Sequence, residues 1–81
     1  MNAKEELLVL VDKFLSGEDQ SILLVNKIER ILVDHFPESA AFEELAEPLS
    51  LFRPGCGLPY YDVKDMCEAL REASGSLKHL E

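Results

Sequence analysis

The sequence predicts an all-α fold: a small antiparallel four-helix bundle whose third helix is kinked or split near Pro48. Three observations carry that prediction. Apolar residues recur at helical spacing in four successive segments. Nothing alternates with a period of two over a useful length. The connections are short, which makes successive helices antiparallel neighbours. The chain has 81 residues, and positions 1–79 read as a single domain. A chain of this size buries about two-thirds of its unfolded surface. A hydrophobic content of 47% supplies a core without a metal or disulfide staple. Leu80 and Glu81 could be a cloning scar and enter no argument.

The first helix is expected from Ala3 to Leu15, with Asn2 and Glu5 as an imperfect capping box. Leu7, Leu8, Val11, Phe14 and Leu15 share one face, and Ser16-Gly17 supplies the stop. The second helix is expected to follow Asp19 as N-cap and run to Phe36. Its buried stripe is Ile22, Val25, Ile28, Leu32 and Phe36, widened by Leu24 and Ile31, and Pro37 ends it. Ser39 caps the third helix, whose apolar face is Ala40, Phe42, Leu45, Ala46 and Leu49. Pro48 breaks into that pattern, because proline clashes with the carbonyl four residues back. Asp62 and Asp65 form a capping box for the fourth helix, with Tyr61 and Met66 spaced as a hydrophobic staple. Val63, Met66, Cys67, Leu70, Ala73 and Leu77 face inward, and Gly75 reads as the C-cap, with Leu77 in a tail that folds back.

Charge narrows the function. The net charge of −8 argues against nucleic-acid binding, which needs a basic surface, and favours a cationic partner or simple solubility. Residues 37–52 hold Glu38, Glu43, Glu44 and Glu47 with no cation, which is half of the net charge. Glu43, Glu44 and Glu47 stand at spacings where like charges repel. A solvated outer face explains them, and so does a cationic surface that compensates the repulsion. Asp34 and Glu38 could extend the patch around Pro37.

No catalytic constellation emerges, and no enzyme activity or cofactor is expected. Asp34 and His35 are chain neighbours about 100° apart on a helix and form no dyad. Cys56 and Cys67 are too far apart for a CxxC pair and too few for a zinc site; free thiols suit a reducing compartment. The longest apolar run, Leu7 to Val11, is too short for a bilayer, and no signal peptide is visible. The expected setting is the cytoplasm. The loop "FRPGCGLPYYD" is turn chemistry apart from Tyr60, which either packs on the core or is exposed for a partner.

Two resemblances bear on function. An acidic helical chain of this length looks at first like an acyl carrier protein, whose cofactor serine sits in a DSL motif. The nearest stretch here, "EDQSILL", places Gln20 between Asp19 and Ser21, and Ser21 reads as a first-turn helix residue. The layout more closely resembles the colicin D immunity proteins, through "DKFLSG" closing the first helix, an acidic middle, "LSLFRPG" entering the loop, and "YYDVKDMCEALREA" as the last helix. Those helical proteins bind and block a tRNA-cleaving bacterial toxin. The resemblance implies a cationic protein partner, a nuclease toxin domain, whose phosphate-binding cleft is filled by carboxylates. Charge and loop chemistry make Asp34, Glu38, Glu43, Glu44, Glu47, Tyr60 and Tyr61 the candidate partner-binding residues. The alternative is a small interaction or regulatory module, with a homodimer as one form, that uses its apolar surface.

Overall fold

In the computed structural model, which describes Met1 to Leu80, the chain is all-helical. Five helices follow in order: α1 (Ala3–Ser16), α2 (Ile22–His35), α3 (Ala40–Leu51), α4 (Val63–Glu72) and α5 (Ser74–Lys78). Each of the longer helices packs on its successor, α4 closes back onto α1, and α5 sits against α3 and α4. The radius of gyration, 11.6 Å, is close to the roughly 12 Å of one compact domain this long. Leu7, Phe14, Ile28, Leu32, Leu45, Met66 and Leu70 fill the centre, and no polar or charged side chain among the described residues is buried.

Local chemistry sets the ends. The Asn2 side chain accepts from the Glu5 N–H at 2.8 Å, and Gly17, at φ 84°, closes α1 in the left-handed conformation. Ser21, not Asp19, caps α2: its hydroxyl accepts from the Leu24 N–H at 3.2 Å. Asp19 stands two residues earlier and accepts from the Ser21 N–H at 3.0 Å. That turn delays the helix by two residues. Ser21 is thus a cap and not a first-turn residue, and Ile22 opens the helix at the bundle's end, 48% exposed, instead of joining the buried stripe. Leu24 and Val25 are buried as expected.

Ser39 caps α3 as expected, accepting from the Phe42 N–H at 3.1 Å. The helix continues to Leu51 as one element with Pro48 inside it. Its buried stripe is Ala41, Leu45, Pro48 and Leu49, while Ala40 is exposed. Leu45 and Leu49 are thus buried as expected, Phe42 and Ala46 lie half-buried at the edge of the stripe, and Ala41 and Pro48 take the place expected of Ala40. Pro48 has no N–H to offer the Glu44 carbonyl, so the helical ladder is one bond short there.

The expected fourth helix is two elements. Its capping box forms with both bonds: the Asp65 N–H to Asp62 at 3.0 Å, and the Asp62 N–H to Asp65 at 3.2 Å. Gly75 does not end the helix. The chain turns at Ala73 and continues as α5 with Gly75 inside it, without a positive φ. The turn carries Leu77 into the core. Leu80 is only 6% exposed and belongs to the same core, so it enters the packing argument that the sequence left it out of. Glu81 lies outside the described residues. Among the described residues no helix is long and apolar enough to cross a membrane.

Candidate functional site: an acidic groove between α3 and α4

Helices α3 and α4 pack side by side, joined by the loop after Phe52. At the loop's base, the Tyr61 N–H donates to the Leu51 carbonyl at 2.8 Å and the Arg53 N–H to the Tyr61 carbonyl at 2.9 Å. These bonds form an isolated parallel bridge between Phe52 and Tyr61 and fix where α4 starts. Phe52 is buried, its ring edge-on to Phe14 with centroids 5.6 Å apart, which ties the bridge to α1.

A groove opens between the two helices. Glu43, Glu44, Glu47 and Pro48 line it from α3, Tyr61 from the loop, and Ala69 and Glu72 from α4. Helical geometry assembles the first wall, since residues three and four apart share a face. The alanine on the opposite wall leaves the space open. The ion pairs among the described residues are Lys13–Glu18, at 3.8 Å, and Arg30–Asp34, at 3.9 Å. None of the four groove carboxylates belongs to either. The groove therefore combines concentrated negative charge with a half-buried aromatic ring, a surface suited to cationic side chains: ammonium or guanidinium groups pair with carboxylates and stack on tyrosine.

The groove gathers four of the seven candidates: Glu43, Glu44, Glu47 and Tyr61. Asp34 stands apart on α2, paired with Arg30. Glu38 lines a different concavity, with His35, Phe36, Ser39 and His79. There the His79 Nδ1 lies 2.7 Å from the Gly75 carbonyl and serves the end of α5. Tyr60 is 37% exposed, and the Arg53 guanidinium sits 5.8 Å from the centre of its ring. Tyr61, expected as a staple on the fully buried Met66, is half-buried and lines the groove.

Sequence reasoning missed Glu72. Summing charge along the chain hides it, because Lys64, Arg71 and Lys78 offset the acids of that segment. A helix separates neighbours by about 100°, so Arg71 does not line the groove while Glu72 does. The usable signal was local: Ala69 and Glu72, three apart, pair a small residue with an acid on one face.

Outside the groove, local hydrogen bonds perturb the acidity of Asp19 and Asp62. Asp19 is held below its ordinary value of 3.8 by its hydrogen bonds from Ser21, and Asp62 by the bond from the Asp65 N–H. Cys56 is exposed and Cys67 partly buried, both as free thiols. No group of three or more His, Cys, Asp or Glu among the described residues is placed to hold a metal ion. No family model matches the chain, and no curated protein or solved structure is significantly similar to it.

Proposed function

We propose that this chain is an immunity-type inhibitor that binds a basic toxin domain, a tRNA-cleaving nuclease, and blocks it stoichiometrically. One observation carries the proposal: four carboxylates that pair with no cation among the described residues line one groove with Tyr61, across two helices. A nuclease holds its substrate through cations aimed at phosphates. A surface presenting carboxylates at comparable density occupies the same cations, and the opposed fields speed encounter and select the partner. In this account the longer helices form an antiparallel bundle, bent at Pro48, whose task is to hold the groove walls. The chain needs no cofactor and performs no chemistry of its own, and its partner is met in the cytoplasm.

The test is capture from the native host at low salt, identification of what is retained, and titration of the purified partner's tRNA cleavage. Inhibition complete at one equivalent supports the proposal. Recovery of the chain alone contradicts it. Exposed Ile22 and Leu23 at the start of α2 favour a second reading, a self-associating interaction module. Light scattering then finds a dimer that persists at high salt, where a charge-steered complex forms more slowly.

A further inference from the structure

Helix α5 is built from residues that do not hold a helix on their own. Gly75 stands between Ser74 and Ser76, all poorer helix formers than alanine. Five residues lie well below the length at which a helix persists in water. No side-chain cap closes its start. Leu77 and Leu80, 1% and 6% exposed, hold it to the core. The helix therefore lasts only while these two leucines are seated.

The rest of its attachment is slight. α5 packs on α3 and α4. On its other side a concavity of about 860 Å³ opens toward residues 35–40, the end of α2 and the turn into α3. No ion pair among the described residues ties α5 to the bundle. The His79 Nδ1, 2.7 Å from the Gly75 carbonyl, links α5 to itself. Its backbone bonds are internal too: the Leu77 N–H donates to the Ala73 carbonyl at 2.9 Å and the His79 N–H to the Gly75 carbonyl at 3.2 Å. At Ala73, φ −87° and ψ 1° take the chain out of the helical ladder and separate α4 from α5.

We propose that residues 74–80 are a strap that opens and closes as one unit about Ala73 while the four longer helices stay folded. Opening withdraws two leucines from the core and leaves the hydrogen bonds of the longer helices in place. Local openings of this kind belong to elements held by few buried apolar contacts. The pivot also touches the candidate site. Ala73 lines the acidic groove next to Glu72, so each opening unpins the end of α4 that carries Glu72. The motion follows from packing alone, whatever the groove binds.

Native-state hydrogen exchange read by NMR tests the strap on the purified chain, at a pH where the opening equilibrium sets the rates. The Leu77, His79 and Leu80 amides should exchange together, more slowly than free peptide and with a shallow dependence on urea. The Leu32 and Leu70 amides should exchange only through global unfolding, with a steep dependence. Leu24, buried near the start of α2, lies at the opposite end of that helix from α5. Leu24→Ala should therefore speed the core amides at least about 30-fold and leave the strap amides unchanged. A side chain at Gly75 meets no atom within 4 Å and no positive φ. Gly75→Ala should therefore slow the strap amides about 4–5-fold. Strap amides that follow the core in urea and in Leu24→Ala overturn the proposal, because the strap then opens only with the whole chain. Exchange at the free-peptide rate also overturns it, because no closed strap then exists, as does a Gly75→Ala rate equal to the wild type's. Should Leu24→Ala fail to fold, the wild-type urea series decides alone.

Discussion

Glu47→Gln should make the free protein more stable. Glu47 stands four residues after Glu43 and three after Glu44 on the same helix face, and no cation pairs with it among the described residues. Each such like-charged pair costs about 0.2–0.5 kcal/mol, so removing one charge relieves roughly 0.4–1 kcal/mol. Glutamine and glutamate have nearly equal helix propensity, so the substitution isolates the charge. For a domain of this size the gain corresponds to a rise in Tm of about 2–8 °C. Circular dichroism melts in low salt and in 1 M salt check it, because a Debye length of about 3 Å in 1 M salt screens the repulsion. A variant that melts at or below the wild-type temperature refutes the reasoning, as does a gain that high salt leaves untouched. A stabilising substitution at a position that then weakens partner binding is the expected mark of a site held for function.

Two further outcomes test the frame around the groove. Leu45, fully buried on α3 directly behind the glutamates, should cost about 2–5 kcal/mol as Leu45→Ala, read as a lower urea midpoint at unchanged m-value. Acid should loosen the start of α4. The Asp62 carboxyl titrates below 3.8 in the folded chain because it accepts from the Asp65 N–H. Its contribution is therefore complete above about pH 4 and is lost as pH falls through the lower folded value. Asp62→Asn, which keeps an acceptor but does not titrate, should flatten that part of the acid-unfolding curve; an unchanged curve would show that the cap does not govern it.

Much of the fold was legible because helix periodicity and capping are local. Asn2, Ser39 and the Asp62–Asp65 box all act where their spacing placed them. The misreadings came from competition between adjacent signals. Asp19 and Ser21 both resemble caps, and the turn Asp19 makes with the Ser21 N–H decides for the later one. Gly75 resembles a stop, yet burial of Leu77 and Leu80 favours another helical turn. The groove was half legible. Its α3 wall is contiguous in sequence, whereas Glu72 joins it only through packing of α4 on α3, a relation that charge counted along the chain cannot express. Asp34 and Glu38, close in sequence to the acidic helix, lie elsewhere: Asp34 belongs to α2, where it pairs with Arg30, and Glu38, before α3 begins, lines another concavity.

The most direct test of the central claim is the association rate with the purified basic partner. It is measured from low to high ionic strength for the wild type and for a chain with Glu43, Glu44, Glu47 and Glu72 all changed to Gln. The account predicts fast wild-type association that falls steeply with salt, and a variant that associates slowly with little salt dependence. A variant that associates as fast as the wild type at low salt would contradict it.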